Sequence, residues 1–374
     1  MPAKLSGQIG GMRLKLLIVA PEQFPVPGTG SVEICILAIA IKLAKHHQIT
    51  VVSRAIGSLA SHSKVNGVNI VRVASGSSKV YLASVLRYLR NKSYDVIQVD
   101  NRPHYMAAIK KAHPRTKVAL FLHSLTFVPR TQHVKNSLNH ANVIIANSES
   151  LKSKLTDRFP AQKHKIHTVE LGVEADRFHP PGESERNTLR AKYGLGKTFT
   201  VLFVGRVIPR KGVPVLLKAV HLANQQVPVH LVIAGKGRDS YMKRLRGYAS
   251  KLGISVSWIG KKKHSEIHRV FQASDCFVCP SQKHEAFGLV NVEAMATGLP
   301  VIASRIGGIP EIVNHDNNGY LIDNYHDPAK FAEYIVRLGK NKELVRTLGN
   351  NARTNVLSRF TWRQTSSRLE AIYL

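Results

Sequence analysis

From Leu14 onward, short apolar runs alternate with helix-length stretches, and after a Pro-Pro-Gly break near residue 180 the alternation starts again. Leu14 to Ala20 predicts a first strand, a Pro- and Gly-rich loop follows to Gly30, and an apolar helix runs from Ser31 to about Lys45. Ser31 is the expected N-cap, with Glu33 in the first turn. Ile49 to Ser53 then predicts a second strand, and this βαβ opening selects a parallel sheet whose ligands lie beyond the carboxyl ends of its strands. Further strands are expected at Asn69 to Val73, Val96 to Val99, Val118 to Leu122 and Val143 to Ala146. Helices are expected about Val80 to Asn91 and Tyr105 to Lys111. Pro180 to Glu185 reads as a linker. Beyond it come strand Thr200 to Val204, helix Val213 to Asn224, strand His230 to Ala234, helix Arg238 to Leu252, strand Val256 to Ile259 and helix Ser265 to Ala273. At 374 residues the chain is long enough for two α/β units, each with its own core.

The most informative run is Pro280 to Ile312. Asp275-Cys-Phe-Val-Cys-Pro280 is an apolar strand ended by proline, Glu285-Ala-Phe-Gly-Leu-Val-Asn-Val-Glu293 enters a helix, and Gly298-Leu-Pro300 stops it before strand Val301 to Ala303. Gly288 stands where loop becomes helix, so backbone N–H groups there, including that of Leu289, are free to meet a phosphate. Glu285 and Glu293 frame that position, and carboxylates suit sugar and ribose hydroxyls as acceptors. A second glycine turn, Ile306-Gly-Gly-Ile-Pro-Glu311, stands beside the first.

This run resembles the donor-binding signature of glycosyltransferase family 4, retaining nucleotide-sugar enzymes with two Rossmann-like domains. The resemblance implies an α/β chain of the GT-B kind: two Rossmann-like domains facing a central cleft, with the C-terminal helix crossing back to the first. It places an acceptor-side domain over 1–182, a nucleotide-sugar domain over 183–358 and the crossing helix over 359–374. Gly172-Val-Glu-Ala-Asp-Arg-Phe178 resembles the family's end-of-first-domain segment. By position, Glu285 faces the donor sugar and Glu293 the nucleotide ribose. In Val204-Gly-Arg-Val-Ile-Pro-Arg-Lys-Gly212, Gly205 allows close approach while Arg206 and Lys211 neutralise the departing diphosphate, so no metal and no other cofactor is expected. His123, ending its strand, matches a histidine that contacts the donor sugar; Ser124 departs from the glycine or aspartate of most relatives. Gly28-Thr-Gly30 aligns with the family's glycine loop, Thr29 being a departure and Gly30 the matching glycine. Gly235-Lys-Gly237 matches a glycine turn near the base and diphosphate, and Asn147-Ser148 fits the cleft. The Pro-Val-Pro loop before Gly28 resembles bacterial spore-coat members.

The implied function is transfer of a hexose from a nucleotide-sugar to an acceptor hydroxyl with retention, the acceptor being lipid-linked, a polysaccharide or a protein glycan, in synthesis of cell-envelope, polysaccharide or spore-coat glycans. No pair of carboxylates is placed as in a glycosidase, so departure and attack on one face are expected. The alternative is a structural, polyanion-binding protein that keeps the fold. Its motive is charge: 54 Lys and Arg against 23 Asp and Glu give +31, spread over both halves. Such an excess attracts anionic surfaces, with Arg87, Arg90, Lys110 and Lys111 as contact candidates. Only 7% of residues are aromatic and no nucleic-acid motif is present, so specific nucleic-acid binding is not expected. The three cysteines make no disulfide framework; Cys276 and Cys279 read as core thiols on opposite strand faces. Lys15 and Pro21-Glu22 interrupt what would be a signal peptide, no run is of membrane-spanning length, and residues 1–12 are expected to be disordered, with Met12 a candidate start. The expected location is cytoplasmic, peripheral to a membrane if the charge serves one.

Overall fold

The computed structural model describes residues 13–24 and 30–374. The expectations for residues 1–12, and for Gly28 and Thr29, lie outside these. The first unit runs β1 (Lys15–Gln23), α1 (Ser31–Leu43), β2 (Gln48–Arg54), β3 (His62–Val65), β4 (Val68–Val73), α2 (Ser78–Leu89), β5 (Val96–Asp100), α3 (Pro103–Ala112), β6 (Lys117–Leu122), α4 (Gln132–Asn139), β7 (Val143–Ala146), α5 (Glu149–Arg158) and β8 (Ile166–Thr168). The second runs α6 (Glu183–Lys192), β9 (Phe199–Val204), α7 (Val213–Ala223), β10 (Val229–Ala234), α8 (Asp239–Lys251), β11 (Val256–Trp258), α9 (His264–Ala273), β12 (Cys276–Cys279), α10 (Leu289–Ala296), β13 (Val301–Ser304), β14 (Gly319–Ile322), α11 (Pro328–Lys340) and α12 (Lys342–Arg359). The last helix is α13 (Trp362–Tyr373).

Strand order is β3-β4-β2-β1-β5-β6-β7-β8 in one sheet and β11-β10-β9-β12-β13-β14 in the other. Among the described residues all strand pairings are parallel except β3 with β4. Parallel strands covered by helices on both faces are mostly apolar, and β5, β7, β12, β13 and β14 are buried at every residue, the polar Gln98, Asp100 and Ser304 included. In each sheet the order reverses beside its first strand, at β1/β5 and at β9/β12. Loops leaving the carboxyl ends of those four strands therefore diverge and leave a crevice.

Several expectations need correction. Ser31 is not the N-cap of α1: Gly30 is, in extended conformation with no side-chain bond, while Ser31 is already helical. The linker is shorter than expected, because Gly182 caps α6 and Glu183 and Glu185 occupy its first turn, where carboxylates meet the positive end of the helix dipole. Arg186 and Arg190 of that helix reach Asp275 at 2.6 and 3.1 Å, fixing α6 to the entrance of β12. The chain crosses itself where Gly172 passes Thr361 and Trp362; a Cβ on Gly172 would lie 2.3 Å from their backbone. Beyond that crossing α13 packs on α1 of the first unit, started by a Thr361–Gln364 capping box. Arg353 on α12 donates to the carbonyls of Ala175, Phe178 and Ala296, tying the end of the first unit to the end of α10. Cys276 and Cys279 are buried thiols in two different core clusters, as opposite strand faces require.

Candidate active site

The β9/β12 crevice brings together residues far apart in sequence. Lys211 comes from the loop after β9, where Pro209–Lys211 makes a short 3-10 turn, and Glu285 from the loop after β12. Lys211 Nζ donates to Glu285 Oε2 at 2.5 Å, and Ser281 Oγ donates to the same oxygen at 3.2 Å. Burial opposes the charge on Glu285, but the Lys211 ammonium outweighs it, with help from Arg210 and Ser281. The carboxyl is held below its usual range. Arg206 stays exposed and joins no ion pair among the described residues. The cation that sequence reasoning missed is therefore Arg210, one residue from the expected lysine.

Gly288 has φ +98, a left-handed conformation that costs a glycine nothing, and it caps α10 without any side-chain bond. The first N–H groups of α10, beginning with that of Leu289, are thus free of side-chain acceptors directly beside the Lys211–Glu285 pair. Gly307, at φ +63, lies so close to the Glu285 backbone that a Cβ would sit 2.0 Å from its carbonyl oxygen. The second glycine turn accordingly clamps the Glu285 loop. Gly308 N–H donates to Glu285 O at 2.9 Å.

Glu293 is buried on α10, and His264, the first residue of α9, places Nε2 2.9 Å from its Oε1. Arg177 approaches His264 Nδ1 at 3.5 Å from the other side. An arginine only donates, so Nδ1 accepts and Nε2–H points at Glu293. Nothing in the local sequence marks His264, since its partner lies a helix away.

Gly235 and Gly237 serve loop packing. A Cβ on Gly235 would lie 1.9 Å from Gly205 O, and one on Gly237 2.2 Å from Val207 O. The backbones join through Gly205 N–H to Ala234 O and Val207 N–H to Lys236 O, both at 3.0 Å. Beside this joint opens a cavity of about 560 Å³, lined by Lys236, Asp239, Lys243, Arg246 and Trp258 among others.

On the first unit, His123 follows β6 with its ring stacked on Phe121 and Nε2 2.9 Å from Asp100 Oδ1. Its N–H donates to Asn101 Oδ1 at 2.9 Å, and Asn147 Nδ2 reaches its carbonyl at 3.4 Å. Asn101 is held at φ +57, a conformation that asparagine tolerates better than most residues. Ser124 caps the short turn Leu125–Phe127, its hydroxyl accepting from Thr126 N–H. Gly30 lies under Glu33, whose Oε2 occupies the place a Cβ would take, 2.1 Å away. A carboxylate therefore already stands at the α1 N-terminus.

The two units touch across the crevice. Ser148 Oγ donates to Ala286 O at 2.5 Å, and Glu311 accepts from the N–H groups of Glu149 and Ser150 at 2.8 and 2.7 Å. A carboxylate of one unit thus caps a helix of the other. Burial raises the Glu311 carboxyl above its usual range despite those two bonds. Of the proposed surface contacts, Arg87, Arg90 and Lys111 are exposed. Lys110 is half-buried and donates to Pro114 O and Thr116 O at 2.9 and 2.8 Å. Among the described residues no helix is long and apolar enough to cross a membrane, and no three His, Cys, Asp or Glu side chains group as metal ligands.

Comparison with known proteins agrees with this architecture. Residues 185–355 match the family described as Glycosyl transferases group 1, and residues 32–177 match Glycosyltransferase Family 4. Spore coat protein SA of Bacillus subtilis is 31% identical over 96% of this chain and 99% of its own length. A D-inositol 3-phosphate glycosyltransferase of Salinispora arenicola is 33% identical over 62% of this chain and 54% of that protein. Among solved structures, a sucrose-phosphate synthase of Thermosynechococcus elongatus superposes with TM-score 0.81 at 20% identity, over 96% of this chain and 98% of the other. HepE of Anabaena, solved with UDP and glucose, superposes with TM-score 0.79 at 21% identity, over 96% and 99%; both share the fold. The chain belongs to glycosyltransferase family 4, built as two Rossmann-like domains of the GT-B kind with the last helix crossing back to the first.

Proposed function

We propose that this protein moves a hexose from a nucleotide-sugar to an acceptor hydroxyl with retention of anomeric configuration, without a metal. The observation that carries the reading is Lys211 drawn onto Glu285 at 2.5 Å beside the uncapped start of α10. A donor diphosphate placed there meets a helix N-terminus and takes Lys211 as a counter-ion, with Arg210 and Arg206 at hand. Glu285, released from the lysine, then accepts from sugar hydroxyls while Glu293 accepts from the ribose. The base lodges by the Gly235–Gly237 turn, where the cavity with Trp258 has room for it. His123 approaches the sugar from the first domain. As the bond from the anomeric carbon to phosphate breaks, its electron pair passes to the diphosphate, whose growing charge these cations stabilise. The acceptor hydroxyl oxygen forms the new bond on the same face and passes its proton to the departing diphosphate oxygen. Support for the donor class comes from HepE, which was solved with UDP and glucose. Support for a coat or envelope glycan as acceptor is the likeness to a spore coat protein. The basic surface adds an anionic membrane as the place of work.

The test is a thermal-shift panel of nucleotides and nucleotide-sugars, followed by UDP-glucose hydrolysis with and without EDTA. Selective stabilisation by one donor is expected through linkage, and activity should survive the chelator. Glu293→Ala should weaken donor binding and Glu285→Ala should lower turnover more than affinity. No shift by any nucleotide, or unchanged kinetics in both variants, would overturn the assignment; loss with EDTA restored by manganese would overturn metal independence.

A further inference from the structure

Behind His123 a file of three side chains runs through the interior to the last helix. His123 Nε2 lies 2.9 Å from Asp100 Oδ1, Gln98 Nε2 donates to Asp100 Oδ2 at 2.8 Å, and Tyr373 O–H donates to Gln98 Oε1 at 2.6 Å. Asp100 and Gln98 are fully buried and Tyr373 is 3% exposed. The directions of these bonds follow from chemistry alone. A carboxylate only accepts, so His123 Nε2 carries a hydrogen and the Gln98 amide turns its NH₂ toward Asp100. That leaves the Gln98 carbonyl facing α13, where the tyrosine must donate. Burial, reinforced by the Asp100 charge, pushes the Tyr373 phenol well above its usual range, so the donor keeps its proton.

We propose that Asp100, Gln98 and Tyr373 are positioning residues for His123, fixing it as the Nε2–H tautomer, and that the C-terminal helix is thereby part of the active site. In the neutral ring this leaves Nδ1 as the acceptor for a sugar hydroxyl. The inference rests on the reading of His123 as a donor-sugar contact for its kinetic consequence only; the tautomer stands independently.

The experiment is ¹⁵N NMR of the histidine rings in the full chain, with His123 assigned by His123→Gln. A protonated Nε2 and an unprotonated Nδ1 are expected, and the reverse overturns the proposal. Tyr373→Phe should shift the His123 ring signals and lower kcat for UDP-glucose hydrolysis roughly two- to tenfold, the worth of one neutral hydrogen bond, with KM unchanged. Lys117→Ala is the control. Lys117 Nζ donates to the carbonyls of Ile372 and Tyr373 at 2.7 and 3.1 Å, so this change loosens the same helix end from outside the file. It should leave the His123 signals in place. If both variants shift them equally, helix docking is the cause and the relay is wrong; if neither does, the relay is equally wrong. Asp100→Leu, which fills the space without an acceptor, should abolish the tautomer preference; a preference that survives in a folded variant overturns the role of Asp100. Unchanged kcat in His123→Ala would sink the donor-contact reading while leaving the tautomer result intact.

Discussion

Replacing Lys211 by methionine would strand the carboxylate of Glu285 in a site built for a pair. The two side chains retain 14% and 16% exposure, so the loss should fall near the lower end of the range for breaking a buried ion pair, about 3 kcal/mol. In a unit of this size that corresponds to a melting temperature lower by roughly 6–12 °C. The pH dependence has a definite sign. In the wild type Glu285 lies below its ordinary value of 4.5. The pair therefore stabilises the fold fully above that value, and the contribution is lost as pH falls through the lower folded value. In Lys211→Met burial loses its main opponent, the carboxyl rises, and stability instead declines as pH rises through and above 4.5. The gap between wild type and variant should thus be large at neutral pH and narrow toward pH 4, as read by thermal or urea denaturation at both. The double variant Lys211→Met with Glu285→Gln should recover most of the stability while remaining inactive. A single variant that melts within about 2 °C of wild type at neutral pH, or a double variant no better than the single, would refute the reasoning.

Glu311→Ala removes the acceptor for two N–H groups of α5 and should cost about 1 kcal/mol. Small-angle scattering should show a more extended particle, because those bonds join the two units; an unchanged scattering curve would argue against the contact. Gly235→Ala forces a methyl against the Gly205 carbonyl and should cost about 1–3 kcal/mol; wild-type melting would mean that the two loops separate freely. Binding to anionic vesicles should be measurable at low ionic strength, fall with added salt, and weaken on charge reversal at Arg87, Arg90 and Lys111. Reversal at Lys110 should act through stability instead, since its ammonium caps carbonyls.

How far the sequence reached depended on whether a signal was local. Apolar runs of strand length between helices led to the parallel sheets, since strands buried on both faces can be little else. Polar α4 and α5 went unread: their buried contacts are few, and most of each helix faces water. The short strand β3, which pairs antiparallel at a sheet edge, also left no apolar run to read. Within the site, Glu285, Lys211, Gly288 and Glu293 were visible because each sits in a short motif after a strand. Motif position alone could not say what each side chain touches.

The sequence by itself determined the two α/β units, the glycines at the loop–helix junctions and the residue types around a phosphate, because backbone conformation and apolar periodicity are properties of neighbouring residues. Only the tertiary structure decided the partners. Lys211 and Glu285 are 74 residues apart, Glu149 and Glu311 162, and Gln98 and Tyr373 275. The first depends on β9 and β12 lying side by side, the second on contact between the two units and the third on the last helix packed on the first unit, so their geometry belongs to the packed core and to no stretch of sequence.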